Sequence, residues 1–310
     1  MALTFQELRQ ELFRLYEGRR YAEATELLRS GLEDHPTELP RITFWLACLE
    51  CRAGRPSAAL VTLSAYLSSG GWMSPLHLRN DDDLEPLRGD PAFERIVAEC
   101  ETRLEAEKGR IQPKLLLELP AASSDAVPPL LMALHMMGGT AEESLYRWRP
   151  AVDKGMMLAA PQGSELVGPD AYAWNERAAA ELRTHLGFIE REVHYDPGRL
   201  ILAGASQGAR MAVQFACQRA VPSTAFIALV GAPAPERIEP HLEAALGAGL
   251  RGVFITGELD PARKGIEATY SLLQQAGVPV QLEVVPGLGH DYPANLAALL
   301  GEALTFLHGH

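Results

Sequence analysis

Residues 200–209 read Leu-Ile-Leu-Ala-Gly-Ala-Ser-Gln-Gly-Ala, and they decide the fold of the second half of the chain. The apolar run at their start predicts a buried β-strand, and the apolar segment 210–219 predicts a helix. The turn between them has the pattern G-x-S-x-G, in which Gly204 and Gly208 leave space for a sharp bend. Ser206 is therefore predicted to stand at the carboxyl end of a strand, where open α/β sheets hold their functional groups.

Six other short apolar runs alternate with helical stretches in the second half of the chain. Such near-continuous runs of Val, Ile, Leu and Ala are typical of strands that are buried on both faces of a sheet. We therefore expect residues 111–310 to form an α/β domain whose doubly wound, mostly parallel sheet is flanked by helices. The six runs are 114–119, 130–135, 155–160, 225–230, 252–256 and 280–285.

Residues 1–110 have a different pattern. Their apolar residues recur at spacings of three and four, which predicts one helix after another and no strand. Two helix-turn-helix units follow each other, and Ala24 and Ala59 open the second helix of each unit. We expect a small all-α domain here, with a further amphipathic helix in segment 84–108 that caps the two units.

The two units resemble tetratricopeptide repeats, in which small residues occupy the crossing of two helices. The spacing between Ala24 and Ala59 is close to the period of about 34 residues in that family. The resemblance implies that a peptide or protein partner binds at the helical repeats. The positions that carry it are Gly18, Tyr21, Ala24, Leu28, Gly31 and Pro36 in the first copy and Trp45, Gly54, Ala59 and Leu63 in the second.

The overall charge argues against polyanionic partners. The chain has 310 residues, with 28 Lys and Arg against 40 Asp and Glu, which gives a formal net charge of −12. Since a negative field opposes nucleic acids and anionic membrane surfaces, neither is expected as a partner. Segment 1–9 contains Glu7 and has no apolar core, so it does not have the pattern of a secretory signal.

Cysteine usage favours a reducing compartment. The four cysteines, Cys48, Cys51, Cys100 and Cys217, are too few for a disulfide framework, and we expect a cytoplasmic protein. Cys48 and Cys51 form a single CxxC pair within a helical pattern, without a second pair or nearby histidines. We interpret them as cysteines of a helix face or core, and expect neither a metal nor a cofactor.

Two further polar residues follow predicted strands. Asp260 comes just after run 252–256, and His290 follows the last run of the chain. Because each of them, like Ser206, follows a different parallel strand, the three side chains are predicted to converge above one edge of the sheet. Glu258 lies two residues nearer its strand and is the less favoured alternative to Asp260.

The order Ser206, Asp260, His290 resembles that of the α/β-hydrolase family. Upstream, residues 135–139 read His-Met-Met-Gly-Gly and follow a strand where this family carries an H-G-x-G loop. The resemblance covers residues 111–310. It implies that Ser206 is a nucleophile, that His290 is its general base, and that Asp260 orients the imidazole.

The same resemblance implies an oxyanion hole made of two backbone N–H groups. One belongs to Gln207 and the other to the loop of Met136 and Met137. Met137, two residues after His135, is the preferred donor, and Met136 stands where the family usually has glycine. His135 is expected to order this loop by hydrogen bonding, because His290 fits the role of base better.

The segment between the later strands limits the substrate. Residues 231–251 contain only a proline-rich turn and one short helix, which leaves no room for a large lid. In this capless form the domain is similar to carboxylesterase/phospholipase and dienelactone-hydrolase-like esterases. The resemblance implies a small-molecule ester or thioester substrate of modest size. Met136 and Trp174 are candidates for the pocket wall, and a core position is an equal alternative for Trp174.

Two other functions remain open on the sequence. A serine peptidase of the oligopeptidase type has the same fold, but such enzymes normally carry a propeller that these residues do not include. The chain is otherwise an interaction protein that binds peptides through its helical repeats, with the hydrolase half as a scaffold. The presence of Ser206, Asp260 and His290 together argues against a scaffold, which needs none of them.

Overall fold

A computed structural model of the chain describes residues 3–109, 111, 113–121 and 127–308. Arg110, at the predicted boundary between the halves, lies outside these residues. The chain divides into two compact units, Met1–Ile111 with Leu166–Pro169 and Gln112–Glu165 with Asp170–His310. The sequence did not assign the short segment Leu166–Pro169 to the first half. The domain limits 1–110 and 111–310 remain a proposal from the sequence.

The first unit has helices in succession. In its described part, two 3₁₀ helices, Pro36–Glu38 and Asp82–Leu87, connect the longer elements. The α-helices of this part are α1 (Phe5–Glu17), α2 (Tyr21–Gly31), α3 (Leu39–Arg52), α4 (Pro56–Ser68), α5 (Pro75–Asn80) and α6 (Pro91–Lys108).

Capping residues and prolines mark the beginning of several of these helices. Thr4 caps α1, since its hydroxyl accepts from the Glu7 N–H at 3.2 Å while the Glu7 carboxylate accepts from the Thr4 N–H at 2.8 Å. Proline stands in the first turn of α4 and of α6, where its missing N–H breaks no helical hydrogen bond. The apolar stripes of α1, α2 and α3 pack into one core, which contains Leu8, Leu12, Leu15, Ala24, Leu28, Ile42, Leu46 and Leu49.

A buried carboxylate connects three of these helices. Glu50 on α3 is fully buried. Its carboxylate accepts from the Arg29 guanidinium of α2 at 2.5 Å and from the Thr62 hydroxyl of α4 at 2.8 Å. Because a buried charge without partners is costly, both contacts are needed to keep Glu50 in the core.

We expect Glu50→Ala to lower the free energy of unfolding by about 2–3 kcal/mol, because it removes two charge-assisted hydrogen bonds. The matched variant Thr62→Val removes one of them and should cost about 1 kcal/mol. Chemical denaturation at neutral pH measures both values. A Glu50→Ala protein as stable as the wild type would show that the carboxylate makes no net contribution to stability.

The second unit is built on a seven-stranded sheet with the order β1-β3-β2-β6-β7-β8-β9. All adjacent strands are parallel except β1, which pairs antiparallel with β3 at one edge. Each of the seven predicted runs forms one of these strands, which confirms the predicted fold class. The strands are β1 (Leu115–Glu118), β2 (Pro129–Leu134), β3 (Met157–Pro161), β6 (Asp196–Ala205), β7 (Ala225–Leu229), β8 (Arg251–Gly257) and β9 (Val280–Val285).

Helices cover both faces of this sheet, as β6 illustrates. Leu200 and Leu202 point into a core on one face, while Ile201 and Ala203 point into a second core on the other. Helices α8, α9, α10 and α11 contribute to the first core, and α7 and α12 contribute to the second. Their bounds are α7 (Ala141–Trp148), α8 (Ala178–Glu192), α9 (Gln207–Cys217), α10 (Leu242–Gly247), α11 (Arg263–Gln275) and α12 (Leu296–His308).

Three short 3₁₀ helices lie between these elements, namely Arg149–Lys154, Pro235–Arg237 and Glu239–His241. A separate two-stranded sheet of β4 (Glu165–Gly168) and β5 (Ala171–Ala173) was not predicted. Its strands of four and three residues are too short to show a hydrophobic period. Among the described residues, no helix is both long and apolar enough to cross a membrane.

Candidate active site

Ser206 occupies the sharp bend between β6 and α9. Its backbone has φ 52° and ψ −111°, a strained conformation for a residue with a side chain. Glycine is required on both sides of it. A Cβ at Gly204 would lie 2.4 Å from the carbonyl carbon of Gly208, and a Cβ at Gly208 would lie 2.2 Å from the Leu134 oxygen. The bend thus depends on the G-x-S-x-G spacing seen in the sequence.

The structure brings together the three predicted side chains. His290 Nε2 lies 2.8 Å from Ser206 Oγ, and His290 Nδ1 lies 2.9 Å from Asp260 Oδ1. Since an ionised carboxylate only accepts hydrogen bonds, Nδ1 carries the proton of the neutral ring. Nε2 is then left to accept from the Ser206 hydroxyl. This arrangement can take a proton from Ser206 as its oxygen attacks a carbonyl carbon.

The surroundings of Asp260 hold its carboxylate in one orientation. The side chain is fully buried. Oδ1 also accepts from the Ala262 N–H at 2.8 Å, and Oδ2 accepts from the Thr256 hydroxyl at 3.0 Å. Both oxygens therefore have partners besides His290.

The side chain of Glu258, the alternative acid, has different surroundings from that of Asp260. Its side chain is exposed and accepts from the Gly287 N–H at 2.9 Å. The backbone N–H groups of Glu258 and Leu259 donate to Val285 and Leu288 at 2.9 Å each. These bonds tie the loop after β8 to the loop after β9, and this connection keeps Asp260 beside His290.

In the loop after β2, hydrogen bonds to the Met136 carbonyl oxygen fix the peptide bond between Met136 and Met137. The Met136 carbonyl lies 2.8 Å from His135 Nδ1 and accepts from the Gly139 N–H at 2.9 Å. Because a trans peptide is planar, these bonds also set the direction of the Met137 N–H, opposite to that oxygen. Among the described residues, neither the Met137 N–H nor the Gln207 N–H has a hydrogen-bond acceptor. Both predicted donors are thus available to a ligand.

His135 is a buried, neutral residue that orders this loop. Burial lowers its pKa to about 4. Nε2 accepts from the Gly163 N–H at 2.9 Å, so Nδ1 carries the proton and donates to Met136. The ring also stacks on Trp174, with centroids 4.7 Å apart. A ring whose two nitrogens are both engaged in this way is suited to positioning a loop rather than to proton transfer with a substrate.

The side chain of Gln207 makes a contact that sequence reasoning missed. Its Oε1 accepts from the Trp174 N–H at 3.1 Å, and its Nε2 donates to the Trp174 oxygen at 3.0 Å. This pair of bonds attaches the chain after β5 to the first residue of α9. The available signal was an amide side chain at an otherwise apolar joint between strand and helix.

The two proposed wall residues lie in the interior. Trp174 is only 3% exposed, and its indole N–H donates to the His135 oxygen at 2.9 Å. Met136 is 9% exposed and belongs to the core on one face of the sheet. Met137 is 41% exposed, so it is the methionine of this loop whose side chain faces solvent. Trp174 thus has the core position that the sequence left as its alternative, and a place of Met136 or Trp174 in the wall of a substrate pocket remains a prediction.

In the described part of the chain, one group of three side chains lies close enough together to hold a metal ion, namely Cys48, Asp81 and Asp83. Asp83 already accepts from the Tyr16 hydroxyl at 2.8 Å. Burial raises the pKa of the Cys48 thiol, which opposes the thiolate form that binds metals. Cys48 and Cys51 both lie buried on α3, as expected for core cysteines.

Comparisons with known proteins agree with this architecture. Residues 4–108 match a family model described as "A/B hydrolase-like, N-terminal domain". The match does not confirm the tetratricopeptide resemblance. No curated protein matches the chain.

Solved structures share the fold. An uncharacterised protein of Bacillus cereus ATCC 10987 is 24% identical with a TM-score of 0.55, covering 98% of this chain and 99% of that one. Esterase PE8 is 25% identical with a TM-score of 0.51, covering 62% of this chain and 100% of its own. A fluorophosphonate-binding serine hydrolase of Staphylococcus aureus is 15% identical with a TM-score of 0.50, covering 64% of this chain and 94% of its own.

The likeness to the Bacillus cereus protein spans both halves of the chain, whereas the other two cover about the length of the second half. The chain is therefore similar to the A/B hydrolase-like N-terminal family over residues 4–108, and its second unit has the α/β-hydrolase fold.

Proposed function

We propose that this protein is a serine hydrolase that cleaves carboxylic esters or thioesters of modest size. The observation that carries the proposal is the hydrogen-bonded series Ser206–His290–Asp260 at a strained bend. Strain of this kind is typical of functional sites, where the surrounding structure maintains it. The likeness to esterase PE8 supports hydrolysis of an ester rather than another use of the fold.

The first half of the proposed reaction forms an acyl-enzyme. Ser206 Oγ attacks the carbonyl carbon of the substrate while His290 Nε2 takes its proton. Asp260 stabilises the imidazolium that results and keeps the ring in its tautomer. The tetrahedral intermediate collapses as His290 returns the proton to the departing alcohol or thiol.

The second half repeats the sequence with water. His290 deprotonates a water molecule, which attacks the acyl carbon, and Ser206 recovers its proton as the acid leaves. In both halves the negative oxygen of the intermediate accepts from the N–H groups of Gln207 and Met137. Each such donor typically contributes ~10²–10³ in rate, so the orientation of the Met137 peptide matters.

Ser206→Ala should abolish hydrolysis of p-nitrophenyl esters, with a loss of about 10⁴-fold or more, because no nucleophile remains. The wild type should also be labelled by a fluorophosphonate, and this variant should not. Rates for a series of increasing acyl length then define the acyl preference. Ser271→Ala, on α11, is the matched control and should keep both activities.

The same assay separates the alternatives. Turnover of p-nitroanilides of peptides in preference to the esters would favour the serine peptidase. Absence of turnover and of labelling in the wild type would contradict the hydrolase proposal and favour the interaction protein, with a peptide or protein partner at the helical repeats.

Asp260→Asn should lower kcat by about 10⁴-fold, because an amide N–H facing Nδ1 favours the wrong tautomer of His290. Glu258→Gln is the matched control, since Glu258 contacts the backbone of Gly287 rather than His290. It should change kcat by less than about threefold. Equal losses in the two variants would mean that the assignment of the acid to Asp260 is wrong.

His135→Phe should lower kcat by roughly 10–10²-fold with little change in KM, because the Met136 carbonyl loses a donor and the Met137 N–H its fixed direction. His194→Gln, at an exposed histidine, is the control. An unchanged kcat in the His135→Phe protein would show that His135 does not position the oxyanion hole.

The depressed pKa of His135 also predicts a pH effect on stability. Its stabilising contribution is complete above the unfolded value of about 6.5 and is lost as the pH falls towards about 4, since the unfolded chain then binds the proton more readily. Between these limits the wild type should lose roughly 2–4 kcal/mol that His135→Phe does not lose. Denaturant unfolding at several pH values measures this difference.

A further inference from the structure

A polar cavity lies at the amino ends of the parallel strands, at the end of the sheet away from Ser206. Its volume is about 390 Å³, at the small end of the range of about 300–1,000 Å³ for small-molecule sites. Arg199, Thr224 and Arg251 line it at the amino ends of β6, β7 and β8, and His308 lines it at the end of α12. The proposed catalytic mechanism uses none of these residues.

Arg251 is held rigidly at this cavity. Its Nη2 donates to the Phe306 oxygen at 2.8 Å, and its guanidinium carbon lies 4.6 Å from the centre of the Phe306 ring. Its Nε is buried and has no acceptor among the described residues. A guanidinium that is fixed by a carbonyl and an aromatic ring has already lost most of its rotamer freedom, so it binds an anion at a low entropic cost.

Arg199 is fixed in a similar way. Its Nε donates to Asp196 at 2.7 Å and its Nη2 to the Val127 oxygen at 3.3 Å. Both arginines line the same cavity, and each donates a hydrogen bond to a backbone oxygen. They lie together although the protein as a whole has a net charge of −12. Asp196 offsets only one of the two positive charges. The described residues that line the cavity thus include two arginines and no acidic side chain.

We propose that this cavity binds a small organic oxyanion, a phosphate monoester or a carboxylate, through Arg199 and Arg251. Phosphate and carboxylate oxygens match the planar donor pattern of guanidinium groups. The bound anion would join β6 and β8 to the end of α12, so ligand binding should stabilise the fold.

This cavity is distinct from the candidate active site. Arg199 lies seven residues before Ser206 along β6, a separation of roughly 20 Å at about 3.3 Å per residue. Binding there is accordingly independent of the proposed hydrolase chemistry, and it is measured without any substrate.

The experiment is a thermal-unfolding titration of the full chain with inorganic phosphate, glycerol 3-phosphate and citrate, with ionic strength held constant by NaCl. We expect a saturable rise in Tm with at least one of these probes. A response to the two phosphates assigns the phosphate class, and a response to citrate assigns the carboxylate class. The absence of any rise beyond that in NaCl overturns the proposal.

Arg251→Gln should raise the apparent Kd by about tenfold or more, because a charged donor is lost. Arg199→Gln, at a more exposed side chain, should weaken binding in the same direction and serves where Arg251→Gln does not fold. Arg183→Gln is the matched control, since this α8 arginine also donates to a backbone oxygen, that of Ala220, but does not line the cavity. Equal binding by the wild type and both cavity variants would show that the anion binds elsewhere.

Discussion

The backbone conformation of Ser206 is the constraint on which the rest of the candidate site depends. A positive φ at a residue other than glycine costs about 1–3 kcal/mol and persists only where neighbouring structure maintains it. Here the Ser206 N–H donates to the Leu229 oxygen at 2.9 Å, and the Ser206 oxygen accepts from the Arg210 N–H at 3.0 Å. The neighbouring strand β7 and helix α9 thus hold the bend from both sides, and a relaxed bend would lose the 2.8 Å contact with His290.

Much of this architecture is visible in the sequence for a simple physical reason. Strands buried on both faces must be apolar along most of their length, which explains the runs at β2, β3, β6, β7 and β8, whereas the edge strand β9 alternates, with Gln281 and Glu283 exposed. The order of the strands also predicts the roles of Asp260 and His290, because residues that follow parallel strands lie together at the carboxyl ends of those strands. Tight turns need small residues, which made Gly204 and Gly208 informative.

The features that the sequence did not reveal depend on side-chain direction. Gln207 reaches the backbone of Trp174 across a gap of 33 positions, and no local pattern encodes such a contact. The same holds for Met136 and Met137, adjacent residues of one type of which only one is exposed. In the first half, small residues at helix crossings predict helical hairpins in general. Their spacing therefore indicated helices correctly, although it does not identify a repeat family or a ligand.

Ser206 and His290 are 84 positions apart and follow different strands, Ser206 after β6 and His290 after the edge strand β9. Edge elements commonly open at lower free energy than central ones. Opening of β9 and the loop after it would remove His290 while the central strands stayed paired. Catalytic competence would then disappear before the cooperative unfolding of the sheet, and heat inactivation would precede the loss of secondary structure.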